Sequence, residues 1–336
     1  MNPFVYERAS SVEGAVASLG NEPTAKIVAG GTNLVDLMKE RVARPTRLVD
    51  IGRLALSEIT LHEDGGLSLG ALVTNADTAR DPRVKERFPL LSQAILAGAS
   101  PQLRNMATNG GNLLQRTRCY YFYDVATPCN KRAPGSGCPA KSGLNRIHAI
   151  LGASDDCIAV HPSDMCVALA ALDARVRCEG PRGSRIIPFA EFHRLPGDTP
   201  HIDTTLANDE LIVAIDLPPN RVAQHSYYLK LRDRQSYAFA LVSVAAAVAL
   251  GADGRIEDAR LALGGVAHKP WRDVQVENAL KGKSPEPAVF ARAAAELLEG
   301  ARGFGHNDFK IELTPRAVVK AFERALGSKR AGASVS

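Results

Sequence analysis

The spacing of apolar and polar positions changes several times along this chain, and each change predicts an element. AKIVAGGTNLVDLMKER runs from a short apolar strand through paired glycines into a helix starting near Thr32. Pro45 separates that helix from a second strand, RLVDI. ITLHEDGGLSLGAL alternates about an Asp-Gly-Gly turn, a hairpin pattern. Helices are expected at 74–81 and 90–98, then a stretch rich in Gly, Pro, Ser and Asn interrupts the pattern. Order resumes with a helix at 163–174, the hairpin ARVRCEGPRGSRIIPFAEF and the strand ELIVAIDLP. Pro218 and Pro219 mark a boundary. Beyond them YYLKLRD, ALVSVAAAVALG and EDARLALGGV predict three strands with an ADGR turn, and helices follow near 286–299 and 314–327. This second part is expected to be a separate α+β domain. No internal repeat is visible, and the small, polar residues 328–336 are expected to form a disordered tail.

Composition narrows the class. With 336 residues and 45% hydrophobic content the chain can bury a substantial core, and at roughly 100–200 residues per domain it should hold two or three domains. The net charge of +5 comes from scattered basic residues without a dense stripe, which argues against a nucleic-acid partner. MNPFVYERASSVEGAVASL has neither an apolar signal core nor a twin arginine, and no window approaches about 18 uninterrupted apolar residues. No membrane span and no export signal are expected. Six cysteines are too sparse for a disulfide scaffold, and their clustering favours metal binding or catalysis. Cys166 on its helix and Cys178 on its strand read as small apolar fillers.

Four segments carry candidate chemistry. In AGGTNL (29–34), glycines at a strand-to-helix turn let backbone approach an anion while the next helix offers free N–H groups, so phosphate is the natural guest. Neither a dinucleotide-binding G-x-G-x-x-G in this setting nor a P-loop is present. ATNGGNLLQ (107–115) repeats the glycine pair, and the two turns together suit a diphosphate, though both also fit as ordinary left-handed turns. In HPSDM (161–165), Ser163 and Asp164 fit a helix N-cap, and His161 reads as a loop histidine because no second histidine lies at helical ligand spacing; His148 reads likewise. The interrupting stretch holds Cys119, Cys129, Cys138 and Cys157 as C-x9-C-x8-C-x18-C. A [4Fe–4S] cluster, a structural zinc and two disulfides all remain open on spacing; the paired knuckles usual at zinc sites are absent.

In order and spacing, AGGTNL, TNGGNL, PSDM and LKLRDRQSYAFALVSVAAAV resemble the FAD-binding medium subunit of the molybdenum hydroxylases, the xanthine dehydrogenase and carbon monoxide dehydrogenase family, over residues 3 to about 327. The resemblance implies an α+β fold: a two-lobed FAD-binding domain of the PCMH/VAO type at 1–220, containing the cysteine loop at 115–160, then a smaller domain of antiparallel strands and helices at 221–327. It implies that Lys26, Ile27, Val28, Ala29, Gly30, Gly31, Thr32, Asn33 and Leu34 cradle the FAD diphosphate, supported by Thr108, Gly111 and Asn112. Ser163 and Asp164 would contact the nucleotide, Ile215 would offer backbone contacts, Lys230 would reach the flavin edge, and Tyr237 would sit near the isoalloxazine. Asn109 departs from the apolar residue usual in the family's second loop.

Most members of the family lack the cysteine segment. RCYYFYDVATPCNKRAPGSGC looks like the inserted [4Fe–4S] loop in the FAD subunit of periplasmic aldehyde oxidoreductases, which implies Cys119, Cys129, Cys138 and Cys157 as cluster ligands. Metal bonds would then order a loop with little apolar surface to bury. The implied function is that of the flavin and iron–sulfur subunit of a heterotrimer. A large molybdenum-cofactor subunit oxidises an aldehyde, a small [2Fe–2S] subunit relays electrons, and FAD passes them to an external acceptor. The sequence assigns no acid–base catalyst. Alternatives are the FAD subunit of a xanthine dehydrogenase or 4-hydroxybenzoyl-CoA reductase type enzyme, a stand-alone flavin oxidoreductase with structural zinc, and a non-redox nucleotide-binding scaffold. Export to the periplasm would require a signal-bearing partner, and the cytoplasm is the alternative.

Overall fold

Two sheets build the first part of the molecule, in a computed structural model that describes residues 1–327. The predicted tail at 328–336 lies outside the described residues. Strands β1 (Val5–Arg8), β2 (Lys26–Val28) and β3 (Arg47–Asp50) form a small parallel sheet in the order β1-β3-β2. Parallel strands of one sheet need crossovers, and the unpredicted helix Val12–Asn21, capped by Ser11 Oγ accepting from Gly14 N at 3.0 Å, supplies the one from β1 to β2. Strands β4 (Ile59–Leu61), β5 (Leu67–Gly70), β6 (Arg175–Gly180), β7 (Gly183–Pro188) and β8 (Leu211–Leu217) form an antiparallel sheet in the order β4-β5-β8-β6-β7. The helices predicted at 74–81, 90–98 and 163–174 occupy Asn75–Arg80, Pro89–Ala97 and Asp164–Ala171.

The third sheet explains the most apolar run in the sequence. Strands β9 (Ser226–Leu231), β10 (Val242–Leu250) and β11 (Ile256–Gly264) lie in the order β11-β10-β9. Successive β10 side chains face opposite sides, and both sides are covered. Ala245, Ala247 and Ala249 pack with the five-stranded sheet and helix Asp164–Ala171, whereas Val242, Val244, Ala246 and Val248 pack under the C-terminal helices. The small residues allow close approach. A Cβ at Gly264 would stand 2.5 Å from Val167 Cγ2.

Helices Val274–Leu280, Pro287–Leu297 and Phe309–Gly327 cover the outer face. The first of these was not predicted. The last begins five residues before the predicted 314 and carries Pro315 in its interior. Side-chain bonds hold the turn that proline weakens: Thr314 Oγ1 donates to Lys310 O at 2.6 Å, and the wholly buried Lys310 Nζ donates to His148 O at 2.9 Å and Gly265 O at 2.7 Å.

Burial depresses the Lys310 ammonium to about 7. The unfolded chain therefore binds more protons above that pH, and this group adds stability as pH rises. The gain should show between about pH 7 and the onset of ordinary cysteine ionisation near 9.0. In chemical denaturation, Lys310→Met should flatten that rise; an unchanged slope would mean the lysine is charged in place.

Candidate functional site

Both glycine turns meet at the edge of the small parallel sheet. Gly31 adopts φ +69°, and a Cβ at Gly30 would stand 1.7 Å from Met106 O, so only glycine lets the first turn press against the chain leading into the second. The helix after the first turn starts at Leu34, two residues later than predicted, and Asn33 at its N-cap gives no side-chain cap bond. Its first-turn donors stay free of side-chain caps. Lys26 reaches solvent and has no ion-pair partner among the described residues. Desolvation, and then the charge of Arg116, lowers its pKa. Close backbone, uncapped N–H groups and an unpaired ammonium fit a diphosphate.

The second turn forms the short helix Asn109–Leu113, capped by Thr108 Oγ1 accepting from Gly111 N at 3.3 Å. Asn109 is wholly buried and has a structural part: its Nδ2 donates to Thr78 Oγ1 at 2.8 Å and its Oδ1 accepts from Asn75 Nδ2 at 3.1 Å. The departure from an apolar residue is thus satisfied inside the fold. Asn112 ties this turn to the third motif. Its Oδ1 accepts from Ser163 Oγ at 2.5 Å, and Ser163 Oγ in turn caps the next helix by accepting from Cys166 N at 3.0 Å. Beside it the carboxylate of Asp164 accepts from Lys230 Nζ at 2.8 Å and Tyr228 OH at 2.8 Å, in a pair whose charged side chains are 7% and 4% exposed.

A cavity opens beside Asp164, lined by Arg118, His161, Ser163, Phe239 and Gly265. Ile215 is not among its lining residues. It is fully buried in β8, paired with Leu69 on one side and Val176 on the other, so the ladder rather than the cavity surrounds its backbone. Tyr237 also stands apart from the lining, 60% exposed with φ +51°. The aromatic that reaches the cavity is Phe239, under Arg118 at 5.0 Å. Sequence periodicity gave no reason to prefer one ring over the other.

All four loop cysteines line a second cavity, with Phe122, Lys131 and His148 around them. Cys119 caps the helix Tyr120–Tyr123, Cys138 precedes the 3-10 turn Pro139–Lys141, and Cys157 follows the Ser154 turn, whose Oγ accepts from Cys157 N at 3.3 Å. Burial pushes the Cys119 thiol up to about 12 and Cys157 to about 11. None of the six cysteines forms a disulfide. No three of the loop sulfurs lie within 4.8 Å of one another, whereas sulfurs around a tetrahedral zinc at about 2.3 Å would be ~3.8 Å apart. Four sulfurs dominate the donor set, with His148 Nε2 3.1 Å from Cys119 Sγ, and the spread of the sulfurs fits a polynuclear centre better than a single ion.

The loop does not depend on the thiols alone for order, as its composition suggested. Arg132 donates to the carbonyls of Tyr121, Phe122 and Thr127, and Asn130 bridges Gly137 N and Asp156 O. Buried Lys131 bonds Pro200 O at 2.7 Å and pairs with Asp203, which also binds Arg116 Nε at 2.7 Å. Lys131 was not singled out in the sequence because its partners lie in a distant segment, and Arg132 and Asn130 were not because their partners are mainly backbone groups of the loop, which side-chain patterns do not show.

Residues 2–220 match the FAD binding domain of molybdopterin dehydrogenases, and residues 227–325 match the CO dehydrogenase flavoprotein C-terminal domain. The chain belongs to the FAD-binding medium subunits of the molybdenum hydroxylase family, an α+β oxidoreductase flavoprotein. It is 49% identical over 326 residues to the aldehyde oxidoreductase FAD-binding subunit PaoB of Escherichia coli, covering 97% of this chain and 99% of that one. With the glyceraldehyde dehydrogenase medium chain of Sulfolobus acidocaldarius it shares 30% identity, covering 95% and 97%. Carbon monoxide dehydrogenase from Hydrogenophaga pseudoflava superposes with a TM-score of 0.76 at 27% identity, covering 97% and 98%. No helix among the described residues is long and apolar enough to cross a membrane.

Removing the freedom of the first turn tests the flavin assignment. Gly30→Ala drives a methyl into Met106 O and should leave less than about a tenth of the wild-type FAD content after gel filtration, at an overall cost of about 2–4 kcal/mol. Gly20→Ala, which meets nothing within 4 Å, should keep its flavin.

Proposed function

We propose that this chain is the flavin and iron–sulfur electron-transfer subunit of a heterotrimeric molybdenum-containing aldehyde oxidoreductase. Residues 1–220 form its FAD-binding domain and 221–327 the smaller C-terminal domain. The observation that carries this reading is the joining of two glycine turns, Ser163–Asp164 and Lys230 into one contact network while four cysteines converge on a separate cavity. The close relation to a subunit named for aldehyde oxidation supports the substrate class. Bound FAD supplies two-electron chemistry with an external acceptor, and a [4Fe–4S] group supplies one-electron chemistry.

The chain's own residues bind and orient. Lys26 and the uncapped turn at Gly30 to Leu34 receive the diphosphate, with Thr108, Gly111 and Asn112 holding the second turn in place. Lys230 fixes the Asp164 carboxylate through an ion pair excluded from solvent, which leaves its remaining lone pairs for nucleotide hydroxyls. Cys119, Cys129, Cys138 and Cys157 hold the cluster, and Phe122 and Ala140 keep water from it. Partners are a large molybdenum-cofactor subunit and a small [2Fe–2S] subunit. The assembled enzyme reaches the periplasm by co-export with a signal-bearing partner.

Co-expression with its partner subunits tests this directly. Native mass spectrometry should show one copy each of three chains, and the complex should reduce an artificial acceptor with aromatic or aliphatic aldehydes. Turnover with xanthine or an aromatic acyl-CoA thioester, and none with aldehydes, would move the chain to another branch of the family.

A further inference from the structure

A third group of ligand-bearing side chains lies beside the nucleotide motif, separate from the four-cysteine cavity, with His161 also lining the cavity next to Asp164. His161, Cys166 and His193 each bring one ligand atom to within 4.8 Å of the other two. They come from different elements: His161 from the loop before helix Asp164–Ala171, Cys166 from that helix's first turn, and His193 from the C-terminal cap of Phe189–Phe192. The two imidazole rings stand 4.2 Å apart, centroid to centroid.

Their hydrogen bonding is incomplete in a specific way. His193 Nε2 lies 2.9 Å from Leu113 O. A carbonyl only accepts, so that nitrogen carries the proton and Nδ1 keeps a bare lone pair. Nδ1 of His193 and Nε2 of His161 are both enclosed and have no hydrogen-bond partner. Unpaired buried polar groups are costly and rare in native folds. Two such nitrogens facing one buried thiol make the donor set of a borderline-soft divalent metal, with the outer ring N–H of His193 fixed by a backbone carbonyl as metal-bound imidazoles commonly are.

We propose that His161, Cys166 and His193 bind one zinc ion, with water completing the coordination. Binding exchanges the Cys166 proton for the metal and forms one Zn–S and two Zn–N bonds. The ion ties the loop carrying Ser163 and Asp164 to the distant segment of His193, and so braces the nucleotide contacts from behind. The sequence concealed this because the second histidine comes from a remote segment and not from the same helix face.

The test uses the assembled holoprotein, washed with chelator, loaded with zinc chloride and desalted. Zinc should be retained at one equivalent per chain, and zinc-edge X-ray absorption should show a single sulfur at about 2.3 Å with nitrogen near 2.0 Å. Cys166→Ala and His193→Gln should each weaken zinc binding by at least tenfold. Cys178→Ala, a buried thiol outside the group, should keep it. No zinc retained by the wild type, a shell of sulfur alone, or full retention in Cys166→Ala overturns the proposal. Should the variants not fold, the wild-type absorption spectrum still decides.

Discussion

Cys129→Ala should strip the protein of its iron and acid-labile sulfide. Cys129 is buried and lines the cavity shared by the other three loop cysteines. Without it, the three remaining thiols, all pushed upward by burial, have no fourth bond to hold an inorganic core. On the proposed cluster ligation, the segments around all four cysteines would no longer be cross-linked, and the folding free energy contributed by metal–sulfur bonds would be lost. The loop keeps its Arg132 and Asn130 hydrogen bonds, so the chain should still fold, at a cost of about 3 kcal/mol or more, roughly 4 °C or more in Tm. Cys178→Ala serves as the control. It also removes a buried thiol, yet should cost only about 1 kcal/mol and leave iron unchanged. Elemental analysis with calorimetry separates the two; full iron in Cys129→Ala would exclude these four residues as the ligand set.

The second large effect is expected at Lys230. Asp164 and Lys230 are nearly excluded from solvent, and removing the ammonium leaves a buried carboxylate with Tyr228 OH as its remaining side-chain donor. Leaving such a charge unpaired costs about 3–5 kcal/mol. Lys230→Met should therefore lower stability by that amount and release FAD, because Asp164 relaxes toward water and drags the Ser163 cap with it. Asp164→Asn should also lose flavin but cost less, since Lys230 keeps Ala97 O at 3.1 Å. The double variant should recover part of the stability and none of the flavin. Denaturant titration, with FAD fluorescence after release, distinguishes a nucleotide contact from a purely structural ion pair: retained flavin in a folded Asp164→Asn would leave only the structural part.

How much of this could be seen in the sequence depends on whether the governing interaction is local. The glycine turns, Ser163 cap and β6–β7 hairpin depend on neighbours within a few residues, and their motifs were visible. The run at Val242–Leu250 was legible as a strand, but that both of its faces are covered became visible only in the fold. The helix at Val274–Leu280 was missed because its face is short, and its packing is against β11 rather than along its own sequence. A residue's place on a strand or loop does not say which neighbour will flank it, and here Leu69 and Val176 flank Ile215 while Phe239 lines the cavity. The cysteine loop looked unable to order itself because composition counts apolar area, whereas Arg132 and Asn130 satisfy backbone groups that composition does not record.

The central claim is that one chain holds an iron–sulfur cubane and FAD in separate places. Protein purified without oxygen, with its partners removed by dissociation, should contain about four iron, about four acid-labile sulfide and one FAD per chain, and should show the Mössbauer signature of a [4Fe–4S] core. Flavin without sulfide, or a stoichiometric zinc ion bound by four sulfurs, would contradict it.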